Sequence, residues 1–250
     1  MSRLRVASFN IRNALAPDWH HSWFFRRGAT AAAITHLDAD VVGLQEAYRC
    51  QLGWLTSHLS DIEAVGDGRS RRRRGEHTSV LVRSDRATVV DATTRWFGAS
   101  IDTPGTRLSG ALFPRIATTA RVRLRDGTEL AVTSTHLDER SGDRRLASAA
   151  QLATWLTGDR PHILLGDFNA TPASEVLEHL VNAGFRRADT GPSGTTHHFN
   201  GRTDGRIIDH ILVRGEITVV GAGVSHERPG GTLPSDHWPV WAELEIAAAR

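Results

Sequence analysis

The sequence predicts an α/β protein in which two packed β-sheets carry helices on their outer faces. Strand-like runs recur along the whole chain, whereas helical spacing appears in only four segments. These helical segments do not alternate regularly with the strands, as they would around a single parallel sheet. Many strands and few helices therefore favour two sheets that bury their inner faces against each other.

The individual elements follow from hydrophobic spacing. In chain order, the strand-like runs are LRVASFN, DVVGLQE, TSVLVRS, ATVVDATTRWF, ATTARVRL, ELAVTSTHL, HILLGDFN, RIIDHILV, ITVVGAGV and WPVWAELEI. The helical segments are 24–38, 48–60, 143–157 and 174–184. In the last segment Leu177 and Leu180 share one face, and Gly184 is expected to end the helix. Thr171 and Pro172 are expected to be its N-cap and first helical residue.

Length and composition indicate one domain, residues 1–250, without a proline-rich, serine-rich or repeated segment. All 30 basic residues are Arg, and 28 acidic residues nearly balance them. A net charge of +2 argues against a strongly basic surface over the whole protein. Cys50 is the single cysteine, so no internal disulfide can form. No apolar run has the length of a membrane span, and we expect a soluble, cytoplasmic monomer.

Polar, chemically competent side chains follow the predicted strands at their ends. The stretch HILLGDFNATP is typical: an apolar run closed by Gly166 predicts a strand covered on both faces, yet Asp167 and Asn169 follow at once. The same pattern places these residues at other strand ends: Asn10, Glu46, His136, Asp138, Asp209, Asp236 and His237. Oxygen ligands without Cys or paired His favour Mg²⁺ or Mn²⁺ over zinc.

Each of these residues alone is commonly a cap, a turn residue or a packed histidine. The evidence for a functional site comes from the order and repetition of these residues along the chain. The pieces SFNIR, LQEA, GEHTSVLVRSD, PRIATTARVRL, STHLD, LLGDFNATP, GRIIDHILV and SDHWPV span residues 8 to 240.

With these pieces the chain resembles the endonuclease/exonuclease/phosphatase superfamily, which includes deoxyribonuclease I, apurinic endonucleases, neutral sphingomyelinases, inositol-polyphosphate phosphatases and deadenylases. It is most similar to the compact bacterial members. The resemblance implies a four-layered α/β sandwich, in which two mixed, mainly antiparallel sheets carry helices on their outer faces.

The resemblance also implies roles for single residues. It makes Glu46 the main metal ligand, with Asn10 and Asp236 close to the ion, which we expect to be Mg²⁺ or Mn²⁺. It assigns Asp167 and Asn169 to the scissile phosphate and the attacking water.

Two histidines and an arginine complete the implied site. Asp209 would orient His237, Glu76 would orient His136, and Arg115 would bind the phosphate. A carboxylate behind an imidazole fixes its tautomer and stabilises its protonated form, which an acid or base catalyst needs.

Two positions depart from the pattern of apurinic endonucleases. Arg12 stands where those enzymes carry a second acidic residue after the first strand, which disfavours an abasic-site activity. The phosphate-binding aromatic residue before Glu76 is missing, and Arg74 is nearby instead.

The run DGRSRRRRGEH places Arg69, Arg71, Arg72, Arg73 and Arg74 just before Glu76. One interpretation is a solvated loop. The other is that Arg71 to Arg74 contact a substrate with several phosphates, which includes nucleic acid.

Together these observations predict a metal-dependent phosphoesterase that uses in-line attack of an activated water. Either His237 with Asp209 or Asp167 is compatible with the role of base. The substrate is expected to be a nucleic acid, a nucleotide or a small phosphorylated metabolite, as a monoester or a diester. The alternative is a catalytically silent module that binds nucleic acid or a partner, although each buried polar group without a partner would cost roughly 1–3 kcal/mol.

Overall fold

The structure is a computed structural model that describes residues 1–158 and 160–247. The strands are β1 (Ser2–Asn10), β2 (Val41–Gln45), β3 (Ile62–Val65), β4 (Val80–Arg83), β5 (Ala87–Trp96), β6 (Ile116–Leu124), β7 (Glu129–His136), β8 (His162–Asp167), β9 (Arg186–Arg187), β10 (Asp209–Arg214), β11 (Ile217–Val224) and β12 (Val240–Ile246). The α-helices are α1 (Trp23–Leu37), α2 (Arg49–His58), α3 (Gly142–Trp155) and α4 (Glu175–Asn182). Short 3₁₀ helices cover Trp19–His21 and Pro229–Gly231.

The strands form two six-stranded sheets, in the orders β11-β12-β1-β2-β4-β3 and β5-β6-β7-β8-β10-β9. Each sheet contains one parallel pair, β1 with β2 and β7 with β8, and its other pairs are antiparallel. The predicted fold of two mixed, mainly antiparallel sheets with outer helices is therefore confirmed. Among the described residues, no helix combines the length and apolar character that crossing a membrane requires.

The core lies between the two sheets, and each outer sheet face has its own helices. Strand β8 shows why its run 163–165 is apolar. Ile163 and Leu165 belong to the core between the sheets. Leu164 faces the other way and packs with α3 and α4. On the first sheet, α1 and α2 cover the outer face in the same manner. The apolar run 163–165 is thus a strand covered on both faces, as its sequence predicts.

The predicted helical segment 174–184 contains α4, but the predicted N-cap, Thr171, and first helical residue, Pro172, are wrong by three residues. The N-cap of α4 is Ser174, whose hydroxyl accepts from the Leu177 N–H. Thr171 instead closes a turn, because its carbonyl accepts from the Ser174 N–H at 3.0 Å. Both residues are good cap types, and the helix begins where its buried face, Val176 and Leu180, meets the core.

The polar residues at the ends of the strands lie together at one edge of the molecule. In the second sheet, His136, Asp167 and Asp209 are successive register partners across β7, β8 and β10. In the first sheet, Asn10 at the end of β1 is the register partner of Gln45, which precedes Glu46. The parallel pairs place these ends side by side because parallel strands end at the same sheet edge.

Gly166 keeps β7 and β8 in contact next to this edge. A Cβ at this position would overlap the carbonyl oxygen of Thr135 on the neighbouring strand, a backbone atom that cannot rotate away. Gly166→Ala should therefore destabilise the protein by about 3 kcal/mol in urea unfolding. Gly53, in the exposed middle of α2, has open space around its Cα, and Gly53→Ala should stabilise by about 1 kcal/mol. Equal effects of the two variants would contradict the assigned contact.

A buried histidine holds the chain that follows β8. His210 Nε2 donates to the Ala170 carbonyl at 2.8 Å, and its Nδ1 has no hydrogen-bond partner in the part of the chain that the structure describes. Burial lowers the pKa of His210 to about 4. Because the folded state holds this ring neutral while the unfolded ring protonates near 6.5, its contribution to stability is complete above pH 6.5. The contribution is lost as the pH falls towards 4.

The free energy of unfolding should therefore fall by roughly 3 kcal/mol on account of His210 between pH 6.5 and 4. His210→Gln keeps a donor for Ala170 and should reduce this loss. Urea unfolding at several pH values measures it, with exposed His36→Gln as the matched control. An unchanged pH slope in His210→Gln would contradict the assignment.

Candidate active site

Asn10 connects the two sheets at the shared edge. Its Nδ2 donates to Glu46 Oε1 and to Asp167 Oδ2, both at 3.1 Å. Its side chain also accepts from the Arg12 N–H at 3.0 Å. One amide group therefore orients a carboxylate from each sheet.

Asp167, Asp209 and His237 form a buried cluster beside Asn10. One potential ligand atom from each residue lies within 4.8 Å of the others. His237 Nδ1 donates to Asp209 Oδ2 at 2.8 Å, and its Nε2 lies 3.9 Å from Asp167 Oδ2. Asp209 Oδ1 is buried and has no hydrogen-bond partner among the described residues, so it can accept a further donor or a cation.

Two groups of this cluster, His237 and Asp167, have raised pKa values. Burial disfavours the imidazolium of His237, but the carboxylates of Asp209, Asp236 and Asp167 outweigh this and raise the pKa of His237 well above its usual value. Burial, together with the Asp209 charge, raises the pKa of Asp167 to about 7. At neutral pH the structure therefore provides a charged imidazole next to a carboxyl group that can gain or lose a proton.

Glu46 is held as an ionised carboxylate. Asn13 donates to its Oε2 from the backbone N–H at 3.1 Å and from Nδ2 at 3.0 Å. Burial opposes the charge, but the Asn10 hydrogen bond and the charges of Arg12 and His237 lower the pKa of Glu46. The residue has a left-handed backbone, with φ of 62°, a strained conformation of the kind found at functional sites.

Asp236 faces Arg12. Arg12 Nη1 lies 3.7 Å from Asp236 Oδ2, and its Nε binds Asp18 at 3.0 Å. Ser235 lies next to this carboxylate and donates its hydroxyl to the Asn10 carbonyl at 2.6 Å. Arg12, the departure noted in the sequence, therefore supplies positive charge where apurinic endonucleases carry an acid.

His136 approaches the same oxygen of Asp167 as His237 does, with its Nε2 at 3.5 Å from Asp167 Oδ2. Burial and the charges of Arg115 and Arg69 lower the pKa of His136 well below its usual value, so the ring is neutral. Asn169, with φ of 50°, donates its N–H to Asp167 Oδ1 at 2.9 Å and its Nδ2 to the Leu137 carbonyl at 3.2 Å.

The remaining predicted partners have contacts that the sequence did not indicate. Glu76 pairs with Arg69 at 2.8 Å, and the orientation of His136 by Glu76 stays a prediction. Arg115 pairs with Glu139. Arg71, Arg72, Arg73 and Arg74 are all exposed at the tip of the same loop.

Arg26 was missed by sequence reasoning, although it supports the site directly. Its side chain is buried, and no carboxylate of residues 1–158 and 160–247 forms an ion pair with it. Its guanidinium donates to the carbonyls of Ile11, Arg12 and Pro234 at 2.7, 2.6 and 3.1 Å. Thr30, one turn further along α1, also donates to Pro234 at 2.6 Å. These bonds hold the segment after Asn10 against the segment before Asp236. In the sequence, this role could have been recognised from the position of Arg26, which lies on the same buried face of α1 as Ile34.

The sequence of the chain matches a known protein family over most of its length. Residues 7–237 match the sequence profile of the Endonuclease/Exonuclease/phosphatase family. None of the curated proteins matches the chain.

Solved structures resemble the chain over its whole length. An endonuclease/exonuclease/phosphatase from Bacteroides vulgatus is 29% identical, with 99% of this chain and 100% of that chain covered at a TM-score of 0.92. A mannosyl-6-phosphatase from Bacteroides thetaiotaomicron is 28% identical, with 97% and 100% covered at a TM-score of 0.87. A functionally unknown conserved protein from Enterococcus faecalis is 26% identical, with 98% and 100% covered at a TM-score of 0.91. The chain therefore belongs to the endonuclease/exonuclease/phosphatase family.

Proposed function

We propose that the protein is a divalent-metal-dependent phosphoesterase that hydrolyses phosphate esters by in-line attack of water. The observation that carries this proposal is the buried cluster of Asp167, Asp209 and His237, joined to Glu46 through Asn10. A binding module has no use for these groups at one edge, because burying ionisable groups costs stability unless they are paired. Family membership supports the same activity.

The residues present fit a hard divalent cation. Glu46 is ionised, and Asp209 has an oxygen without a partner. Glu46, Asn10 and Asp236 would hold Mg²⁺ or Mn²⁺, and Asp209 Oδ1 offers a further oxygen atom. The cation would supply positive charge for the oxygens of the reacting phosphoryl group.

Asp167 and His237 have different proposed roles in the reaction. His237 already carries its proton, so Asp167, with a pKa of about 7, is the proposed acceptor of the proton from the attacking water. The His237 imidazolium, held by Asp209, stabilises the negative charge that develops at phosphorus. Neutral His136 and Asn169 orient the phosphoryl oxygens, with Arg115 as a further phosphate contact.

The substrate proposal is a phosphorylated metabolite, a nucleotide or a nucleic acid. The mannosyl-6-phosphatase, at 28% identity over nearly the whole chain, favours a small phosphorylated compound. Arg71 to Arg74 are proposed contacts for a substrate with several phosphates.

The first test is metal dependence, which also separates an enzyme from a silent module. Hydrolysis of p-nitrophenyl phosphate and bis(p-nitrophenyl) phosphate should require Mg²⁺ or Mn²⁺ and disappear with EDTA. Glu46→Gln removes the ionised oxygen and should raise the metal concentration needed for half activity by roughly 10-fold or more. The matched control is Glu63→Gln, an exposed carboxylate on β3. Full activity without metal would refute the proposal.

The second test concerns the charge on His237. His237→Ala should lower kcat by roughly 10²-fold or more. Asp209→Asn should have a smaller effect and should also move the alkaline limb of the kcat profile to lower pH. The reason is that the Asp209 charge raises the pKa of His237, and its loss lowers the pH at which the imidazolium deprotonates. An alkaline limb that stays in place would contradict the assigned role of the imidazolium.

A further inference from the structure

Exposed apolar side chains are concentrated at the edge of the molecule that carries the candidate active site. In the described part of the chain, most large hydrophobic residues with exposed side chains lie in the segments 15–25 and 112–113: Leu15, Trp19, Phe24, Phe25, Leu112 and Phe113. The first segment follows the end of β1 at Asn10, and the second precedes Arg115 and the start of β6. Apolar surface that stays exposed in one region of a soluble protein is typical of a binding site.

Trp19 is the most unusual of these residues. Its side chain is 87% exposed, so the indole gains little from burial in the folded protein. Its backbone is left-handed, with φ of 50°, a conformation that bulky residues rarely adopt. Backbone strain of this kind persists where the surrounding structure imposes it, and it is concentrated at ligand-binding and active sites.

The chain restrains the backbone on both sides of Trp19. The Asp18 carboxylate accepts from Nε and Nη2 of Arg12 at 3.0 and 3.1 Å. The His21 ring stacks on the Phe199 ring, with 4.5 Å between the ring centroids and 5° between the planes. The Trp19 backbone therefore has a defined position, while its indole ring is open to solvent.

The same segment contacts both carboxylates that are proposed to hold the cation. Arg12, which binds the carboxylate next to Trp19, has its Nη1 at 3.7 Å from Asp236 Oδ2. Asn13 donates to Glu46 Oε2 from its N–H at 3.1 Å and from its Nδ2 at 3.0 Å. Trp19 therefore borders the site, where the organic part of a bound phosphate ester can reach it.

We propose that the Trp19 indole stacks on a ring in the organic part of the substrate, an assignment that rests on the proposed function. The protein then prefers phosphate esters of ring-bearing alcohols, such as sugars and nucleosides, over esters of open-chain alcohols. An indole face packs against the flat face of such a ring, and a restrained aromatic side chain loses little conformational entropy on binding. The link through Arg12 to Asp236 favours the substrate over a second protein as the partner of this ring.

The first experiment compares kcat/KM for glucose 6-phosphate and for adenosine monophosphate with kcat/KM for glycerol phosphate, all in Mg²⁺. Trp19→Asn removes the ring and suits the left-handed backbone, which Asn adopts more readily than most residues. This variant should reduce the preference for a ring-bearing ester by about 10-fold, and the ester that is affected identifies the ring as a sugar or a nucleoside. Trp19→Phe keeps a smaller ring and should reduce the preference less. The matched control is Val220→Asn, an exposed apolar residue near Arg3 at the start of β1.

Calorimetry with phenylphosphonate and methylphosphonate provides a readout without turnover. The two compounds share a phosphonate group that cannot be hydrolysed as an ester, and they differ in the ring. Trp19→Asn should reduce the ratio of the two affinities, phenylphosphonate over methylphosphonate, by about 10-fold, whereas Val220→Asn should leave this ratio unchanged.

The outcomes separate the stacking assignment from the proposed function. Ratios that keep their wild-type values in Trp19→Asn overturn the assignment, whether both members of a pair are unaffected or fall equally, and the phosphoesterase stays intact. Binding of wild-type protein to phosphatidylserine vesicles that is lost in Trp19→Asn assigns the ring to a lipid surface and overturns the substrate assignment. Hydrolysis of none of the three esters refutes the proposed function, and a lowered phosphonate ratio in Trp19→Asn would still support the stacking contact. Wild-type protein that binds neither phosphonate overturns the assignment.

Discussion

The bridge from Asn10 to Glu46 and Asp167 is the interaction on which the candidate site depends. Two carboxylates that approach each other repel, and this repulsion grows in a buried environment of low effective dielectric constant. Asn10 contributes two amide hydrogens without adding charge, so both carboxylates gain a partner at 3.1 Å. The bridge also crosses the interface between the sheets, which makes the position of the site a consequence of how the sheets pack.

The first sheet is reinforced behind this bridge. Arg26 and Thr30 on α1 bind the carbonyl of Pro234, and Ser235 donates to the carbonyl of Asn10. A buried arginine without a carboxylate partner is costly unless its N–H groups are satisfied, and here carbonyl oxygens from separate segments accept them. The same bonds that satisfy Arg26 therefore fix the ends of β1 and the start of β12 relative to each other.

Much of this arrangement could be predicted from the sequence, for a physical reason. Strand ends such as Asn10 and Asp167 are recognisable because a polar residue directly after an apolar run contrasts with it. Contacts between distant residues leave no such local contrast: Arg69 was one arginine among five in a run, and only the fold separates its buried guanidinium from the exposed ones. The N-cap at Ser174 in place of Thr171 was ambiguous because both hydroxyls lie one turn apart, and burial of α4 decided between them.

The site divides into two parts with different structural origins. The groups proposed for proton chemistry and metal binding lie at the ends of strands in both sheets, where neighbouring strands restrict their movement. The groups proposed to contact phosphate groups of the substrate, Arg71 to Arg74 and Arg115, lie in the connections before β4 and before β6, where sequence can change without disturbing a sheet. Under the proposed function, substrate choice depends on side chains of such connections, and the reaction depends on the strand ends that the two sheets hold in place.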